Sequence, residues 1–386
     1  MEPVEAAQLF LADNGLDGWL LADFRGHNPV LGELLKCDLA TTRRVFLFIP
    51  PLGQPQLLAH KVDASQFAAS HIEIYPYASH ADLQAALFAL LERASKVAME
   101  YSPQGRLPMV SWVDAGTLEL VRSLGVEVVS SADLVQFVLA RWDETALQAH
   151  LRAARKVGRI VHDAFAYIAH NYPTEFDTAQ FIQRRFAQEG LRTDDGPIVA
   201  ANEHSSNPHH QPLASDLRPI GPGDWVLVDL WAQEKGGPYA DVTWVGYWGA
   251  HPPAPQQERF TLVARARDLA LEFLRQASAT GLQVQGWQVD AVVRDYLSAS
   301  PYGQYFTHRL GHSLGHRAHG FGVNLDNYET VDTRPLIPQI GFTVEPGLYL
   351  PDFGIRLEVD VYLGEDGPRV TTPVQEEIVL IGERGR

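Results

Sequence analysis

Trp225–Ala232 reads W-V-L-V-D-L-W-A, an apolar run that is typical of a buried strand and that carries one aspartate, Asp229. A second strand-like run, Tyr239–Tyr247, contains Asp241. The sequence K-G-G-P at Lys235–Pro238 separates the two runs and is typical of a turn. We therefore expect a β-hairpin in which Asp229 and Asp241 face each other on one side.

Two further glutamates interrupt apolar, strand-like sequence near the C-terminus. Glu345 lies in F-T-V-E-P-G-L-Y, and Glu358 lies in a predicted strand, Gly354–Leu363, with Asp360 on the same face of that strand. Turn residues, including P-G directly after Glu345, separate these segments and predict a second hairpin-like pair. A carboxylate is costly to bury in apolar surroundings unless it is paired or binds a metal.

Thr307–Gly320, which reads T-H-R-L-G-H-S-L-G-H-R-A-H-G, concentrates four histidines between these acidic segments. By itself the stretch fits a solvated loop as well as it fits a site, because histidine serves in metal binding, proton transfer and hydrogen bonding alike. With four acidic residues on apolar strands, it predicts a carboxylate-rich centre with one imidazole. Such a donor set suits two divalent ions rather than a structural zinc site. Gly311 and Gly315 are expected to let the backbone pass close to the metals.

Length and composition limit the classes of function. The chain has 386 residues, of which 46% are apolar and 20% charged, so it resembles an ordinary globular protein of two domains. A net charge of −16 argues against nucleic acid and anionic membranes as partners. Cys37 is the only cysteine, and the sequence shows neither a signal-peptide pattern nor a membrane-length apolar run. We therefore expect a cytoplasmic protein.

Hydrophobic periodicity divides the chain near residue 141. Strands alternate with helices before this point, which predicts an α/β domain with a structural or dimer-forming role. Beyond it, a long helical pattern runs from Asp143 to Ala169, and later helices alternate with strand-like runs. The expected fold class is α+β, with domains at 1–141 and 142–386 and helices covering a largely antiparallel sheet.

Five residues occur in a characteristic order and spacing: Asp229, Asp241, His312 in L-G-H-S-L-G, Glu345 in T-V-E-P-G, and Glu358 in G-x-R-x-E. This set resembles the pita-bread metallopeptidases, which include prolidase (Xaa-Pro dipeptidase), aminopeptidase P and methionine aminopeptidase. The resemblance covers residues 145–386. The N-terminal half is similar to the creatinase-type domain that precedes the catalytic domain in prolidases.

The resemblance implies a curved pita-bread sheet that holds two divalent metal ions, manganese first, with cobalt, zinc and iron as alternatives. It implies that Asp229 binds one ion and that His312 binds the other. Asp241 and Glu358 would bridge the two ions. Glu345 would bind the second ion and also act as the general base.

The same resemblance implies residues that act on the substrate. His209, in N-P-H-H-Q-P, would contact the substrate and assist proton transfer, and His319 would steady the substrate carbonyl. Arg356 would hold a metal ligand or a substrate carboxylate.

Other residues receive weaker roles from the resemblance. Tyr349 is expected near the site, and His210 is the next histidine that would reach the substrate. His308 and His316 are expected to support the site or to lie on the surface.

Three features depart from the family pattern. The interval from Asp229 to Asp241 is one residue longer than expected. Gly320 stands where the family usually has glutamate after the second histidine, and Asp195 stands where it often has a tyrosine that supports a metal ligand or the substrate.

The expected function is hydrolysis of Xaa-Pro dipeptides by a water that bridges two metal ions. The alternatives are aminopeptidase P activity on longer peptides and, in another class, a peptide-binding pseudoenzyme, which the residue at 195 would favour. Methionine aminopeptidase usually lacks the large N-terminal domain. The expected partners are a small peptide substrate and, by resemblance to prolidases, a second copy of the chain.

Overall fold

A computed structural model describes residues 2–37 and 40–382 of the chain. The chain divides into two units, Met1–Ala140 and Arg141–Arg386, each held together by its own contacts. The sequence-based boundary lay one residue later.

The first unit is an α/β layer built on one sheet. Its strands are β1 (Gly18–Phe24), β2 (Arg44–Ile49), β3 (Gln56–His60), β4 (Glu73–Tyr77), β5 (Lys96–Met99) and β6 (Glu127–Ser130). Its helices are α1 (Pro3–Asp13), α2 (Pro29–Leu35), α3 (His80–Leu91), α4 (Ala115–Ser123) and α5 (Ala132–Val135). The strand order is β4-β3-β2-β1-β5-β6. The pairs β1–β2 and β2–β3 are antiparallel, and the outer pairs are parallel.

One buried glutamate stands out in this first unit. Glu100 is fully buried and accepts hydrogen bonds from Trp19 Nε1 at 2.6 Å, Asn28 Nδ2 at 2.8 Å and Ser131 Oγ at 3.1 Å. Burial raises the pKa of Glu100 to about 7, although these hydrogen bonds oppose the rise.

The second unit alternates long helices with strands. Its helices are α6 (Glu144–Asn171), α7 (Glu175–Gln188), α8 (Ala254–Thr280) and α9 (Gly286–Ser298). Its first four strands are β7 (Leu191–Arg192), β8 (Ile198–Ala201), β9 (Trp225–Glu234) and β10 (Ala240–Trp248). The later strands are β11 (Ser313–Leu314), β12 (Ile340–Val344), β13 (Gly347–Tyr349), β14 (Gly354–Arg356), β15 (Val359–Gly364), β16 (Gly367–Val370) and β17 (Val379–Ile381).

These strands form mixed sheets in which antiparallel pairs dominate. One sheet has the order β17-β10-β9-β7, with β8 also paired to β9. A second has the order β11-β12-β15-β16, and β13 pairs with β14. Only the β10–β17 pairing is parallel among the named strands of this unit. The α+β class and the largely antiparallel sheet predicted from the sequence are confirmed.

Helix α6 packs against the β9–β10 hairpin, which carries Asp229 and Asp241. It begins at a capping aspartate, Asp143, whose side chain accepts the Ala146 N–H at 2.8 Å. The periodic apolar face predicted along this helix is buried, and Val157 and Val161 pack in one core with Val228 and other residues of β9 and β10. This burial fixes the sheet against the helix.

Within the described ranges, no helix is both long enough and apolar enough to span a membrane.

Candidate metal centre

The β9–β10 hairpin places Asp229 and Asp241 on one face of the sheet, but not opposite each other. Asp229 pairs across the strands with Thr243, and Asp241 pairs with Trp231. The expectation that the two aspartates face each other was therefore wrong, because Asp241 lies two residues along β10 from Thr243, the residue opposite Asp229. They are diagonal neighbours, because the connection between the strands sets a register that the even spacing alone leaves open.

Glu345 and Glu358 meet at the end of the β12–β15 ladder. The last pair of that ladder is Val344 with Val359, so the two glutamates continue it on either side. The strand predicted over Gly354–Leu363 is interrupted at Leu357 and Glu358. The piece before the interruption, β14, pairs with β13, and the piece after it, β15, pairs with β12. The break was missed because the apolar pattern runs unchanged through both pieces.

Asp360 does not join the carboxylates of the centre through hydrogen bonds. Its Oδ2 accepts the backbone N–H of Asp241 at 2.9 Å, and its own N–H donates to Thr372 Oγ1 at 2.8 Å. Asp360 is fully buried and thus helps to fix the backbone that carries Asp241.

His312 turns one ring nitrogen towards the carboxylates. Its Nδ1 lies 3.2 Å from the Ser313 carbonyl, which assigns the proton to Nδ1. Its Nε2 lies 3.5 Å from Glu345 Oε1 and 3.8 Å from Asp241 Oδ2. Ligand atoms of Asp241, His312 and Glu358 all lie within 4.8 Å of one another. The fold thus brings together ligand atoms of four of the five predicted ligands, Asp241, His312, Glu345 and Glu358.

Arg356 is buried in the centre, and each of its guanidinium nitrogens has a protein partner. Nη2 donates to Asp229 Oδ2, Nε donates to Thr243 Oγ1 at 2.9 Å, and Nη1 donates to Tyr349 Oη at 3.0 Å. Of the two roles expected for Arg356, the structure therefore places it on a predicted metal ligand, Asp229.

Two threonines that sequence reasoning missed hold the acidic groups in place. Thr243 Oγ1 donates to Glu358 Oε2 at 2.7 Å. Thr343 Oγ1 lies 3.2 Å from Glu345 Oε1 and accepts the His312 N–H at 3.0 Å. Each threonine stands two residues from an acidic residue on its own strand-like run. The same-face periodicity of strands could have indicated both.

Burial dominates the electrostatics of the acidic cluster. It raises the pKa of Asp241 and of Glu358 well above the usual range, and repulsion from neighbouring carboxylates adds to the effect. Burial also raises the pKa of Glu345 to about 7, against the opposing charges of Arg356 and Arg309. Burying so many carboxylates around one guanidinium is costly without further cations.

His319 and His209 lie on the open side of the centre. His319 is exposed, and its ring centroid lies 4.4 Å from that of His312 in an edge-to-face contact. Desolvation and the nearby charges of Arg309 and His209 lower the pKa of His319 to about 4. His209 is exposed, and the carbonyl of its neighbour Pro208 accepts from Arg356 Nη1 at 3.5 Å.

The remaining predicted histidines have separate environments. His308 Nε2 lies 2.8 Å from Tyr349 Oη, and burial lowers the pKa of His308 to about 3. His210 Nε2 lies 3.0 Å from Glu175 Oε2, so this nitrogen already has a protein partner other than a substrate. His316 is exposed.

Two departures from the family pattern acquire a structural description. A Cβ on Gly320 would lie 2.8 Å from Ser313 Oγ and 3.0 Å from the Leu314 carbonyl carbon, so the loop has no room for glutamate there without a shift. Asp195 is exposed, and its charge partly opposes the lowering of the His319 pKa. Gly311 lets its backbone lie against the Thr343 carbonyl, whose oxygen would be 2.0 Å from an added Cβ.

Comparisons with known proteins identify a family for most of the second unit. The model of metallopeptidase family M24 matches residues 149–365. A probable dipeptidase, PepE, of Mycobacterium bovis is 29% identical over 232 residues, which cover 60% of this chain and 58% of the relative. A Xaa-Pro dipeptidase of Lactobacillus helveticus is 29% identical over 169 residues, which cover 44% of this chain and 41% of the relative. The match thus spans less than two thirds of the length of these curated relatives.

A solved structure matches over almost the whole chain. The crystal structure of dipeptidase PepE from Mycobacterium ulcerans superposes with a TM-score of 0.77 at 23% identity, and it covers 98% of this chain and 97% of that chain. At this identity the likeness establishes the fold alone.

Proposed function

The chain belongs to metallopeptidase family M24, and from that premise we propose that it hydrolyses Xaa-Pro dipeptides with the help of two divalent metal ions. The observation that carries the proposal is the convergence of buried carboxylates on the free Nε2 of His312. The names of the relatives, dipeptidase and Xaa-Pro dipeptidase, support the substrate class.

The residues present fit such a metal pair. Asp229 Oδ1 and Asp241 Oδ1 are buried and have no hydrogen-bond partner in the described part of the chain. An unpaired buried carboxylate oxygen is expensive, and metal coordination removes that cost. Oxygen-rich sets with one imidazole suit manganese, cobalt, iron or zinc, and we propose manganese as the native ion. The proposed ligands are Asp229, Asp241, His312, Glu345 and Glu358.

The chain's own side chains then perform the proton transfers. When bound, two divalent ions supply an activated water and polarise the substrate carbonyl. Glu345, held by Thr343, receives the proton that the water loses. His319, which is neutral at pH 7, donates a hydrogen bond to the oxygen on which negative charge develops. His209, which is exposed, delivers a proton to the leaving proline nitrogen.

The carboxylate of a dipeptide needs a cation other than Arg356, because each guanidinium nitrogen of Arg356 already donates to a protein group. Arg309 is the candidate. Desolvation lowers the pKa of both His312 and His319, and the charge of Arg309 lowers both further, which indicates that Arg309 lies near these two histidines. Its guanidinium also pairs with Glu329 at 3.0 Å, and its Nε has no partner among the described residues. We propose that Arg309 binds the substrate carboxylate and thereby favours dipeptides.

Reconstitution and an activity panel test this function. The chelator-stripped protein is loaded with manganese, cobalt, zinc or iron(II), and its turnover of Ala-Pro, Ala-Pro-Pro and Ala-Ala is compared. We expect two manganese ions per chain, both at the dinuclear centre, and preferential cleavage of Ala-Pro.

Each other outcome has a defined meaning. Equal rates on Ala-Pro-Pro would favour aminopeptidase P, and equal rates on Ala-Ala would favour a general peptidase. Well under one ion per chain would favour a peptide-binding pseudoenzyme. The homodimer is also a proposal, which sedimentation of the loaded protein tests.

A further inference from the structure

A second cluster of metal-binding side chain types lies at the start of helix α7. Glu175 is the first residue of that helix and is 1% exposed. Its Oε2 lies 2.9 Å from His204 Nδ1 and 3.0 Å from His210 Nε2. Its Oε1 accepts the Ala201 N–H at 2.6 Å. Burial acts to raise the pKa of Glu175, but these hydrogen bonds outweigh it and lower the pKa, so a carboxylate faces both rings.

The geometry of the cluster is close to that of a bound zinc ion. The ligand atoms of Glu175, His204 and His210 all lie within 4.8 Å of one another, and the two rings are 4.6 Å apart between centroids. Tetrahedral zinc with bonds of about 2.0–2.1 Å separates its ligand atoms by roughly 3.3 Å. The distances of 2.9 and 3.0 Å from Glu175 Oε2 to the two ring nitrogens therefore need to lengthen by only a few tenths of an ångström to admit an ion.

The cluster also leaves one side open. The side chains of His204 and His210 are 26% and 15% exposed, so water can complete the coordination. Two imidazoles and one carboxylate form a nitrogen-rich set, which favours zinc and similar transition ions over magnesium or calcium.

We propose that Glu175, His204 and His210 form a third metal site, which takes Zn²⁺ or a chemically similar ion such as Co²⁺. None of the three residues belongs to the five ligands of the centre described above. The inference therefore goes beyond the proposed peptidase function and stands or falls separately from it.

An ion at this site would hold residues 204–210, a segment next to the proposed dinuclear centre, against helix α7. His204 and His210 bracket the part of the chain that carries His209 and the Pro208 carbonyl, which Arg356 contacts at 3.5 Å. The same segment is tied elsewhere by Ser205 Oγ, which accepts the Gly354 N–H at 2.7 Å. Coordination would add a link from this segment to α7, and we expect it to slow local opening.

Zinc stoichiometry of the full chain tests the site. Asp241→Asn/Glu358→Gln weakens the dinuclear centre without touching the second cluster, and this double variant is the parent. Chelator-stripped samples are dialysed against equal free Zn²⁺, and bound zinc is measured by mass spectrometry. We expect His204→Ala and His210→Gln each to lower the bound zinc by one equivalent when added to the parent. The same loss is expected when either substitution is made in the wild-type chain.

Two controls separate coordination from folding. His316→Ala removes an exposed histidine and should keep the parent's zinc content. His210→Gln can still donate a hydrogen bond to Glu175 but is a poor zinc ligand, so it isolates the metal-binding role.

Hydrogen exchange of residues 202–210 gives a second measurement. Zinc should slow exchange severalfold in the parent and leave His204→Ala unchanged. Equal zinc content in the parent, His204→Ala and His210→Gln would overturn the proposal, whatever the peptidase assays show. Zinc-independent exchange in the parent would overturn the proposed fastening of the segment.

Discussion

Thr243→Val should weaken metal binding although Thr243 is not itself a predicted ligand. The residue is fully buried on β10. Its hydroxyl donates to Glu358 Oε2 at 2.7 Å and accepts from Arg356 Nε at 2.9 Å. Valine has nearly the same shape, so the substitution removes the hydroxyl and both of these hydrogen bonds while leaving the packing in place.

The magnitude follows from the charges of the two partners. A hydrogen bond to a charged group contributes about 1.5–3 kcal/mol, and here one carboxylate and one guanidinium lose a partner. Loss of a group that orients a metal ligand typically costs about 10–100-fold in affinity or activity. We therefore expect the affinity for the weaker-bound ion to fall by about 10–100-fold, with kcat/KM falling by at least about tenfold at fixed free metal.

Competition with a chromophoric chelator measures the affinity, and Ala-Pro turnover measures kcat/KM. Thr178→Val is a matched control, because Thr178 is also buried, but its hydroxyl donates to the Thr174 carbonyl at 2.9 Å and to no acidic residue in the described ranges. The control should bind the ions of the dinuclear centre like the wild type. Wild-type affinity and turnover in Thr243→Val would refute the argument that this hydroxyl orients Glu358 and Arg356.

Four further predictions concern other parts of the molecule. Glu358→Gln should abolish measurable hydrolysis yet stabilise the metal-free chain at neutral pH by on the order of 1–4 kcal/mol, because it removes a buried carboxyl whose raised pKa opposes folding above its usual pKa; urea unfolding in chelator that shows a less stable variant would contradict this. His319→Ala should lower kcat by about 10²–10³-fold with both ions still bound, whereas His312→Ala should lose one ion; equal metal loss would show that their roles are exchanged. Arg309→Met should raise KM for Ala-Pro by about tenfold with little change in kcat, which steady-state kinetics can refute. The pKa of Glu100 is raised from 4.5 to about 7, so its contribution to stability is complete below pH 4.5 and is lost as the pH rises through 7. The wild-type protein should therefore lose unfolding free energy between about pH 5 and about pH 8, and Glu100→Gln should reduce this loss by on the order of 2–3 kcal/mol. An unchanged dependence of the unfolding free energy on pH would refute this.

The elements with a long periodic pattern were predictable. The apolar face of α6 extends over many turns, and the runs around Asp229 and Asp241 are nearly continuous apolar stretches of the length of a buried strand. Short or unusual elements were missed: α2 has only seven residues, and β4 contains Pro76. Proline cannot donate to a ladder, so it weakens a strand pattern even where an edge strand forms.

The sequence by itself determined which chemical groups are available to the candidate centre. Carboxylates in apolar strands must find partners wherever the chain folds, so Asp229, Asp241, Glu345 and Glu358 could be selected before any contact was known. The order of these residues, with His312 between them, was enough to indicate the family. Local pattern carries this information because each burial cost belongs to a single residue and its immediate surroundings.

Only the tertiary structure decided how those groups are connected. The register that sets Asp229 opposite Thr243, the break before β15 and the four protein partners of Arg356 all depend on segments distant in the sequence. The pairing of Glu175 with His204 and His210 is of the same kind. Strand periodicity tells which face a side chain takes, but its partner is chosen by register and packing between elements, and these arise when the whole unit folds.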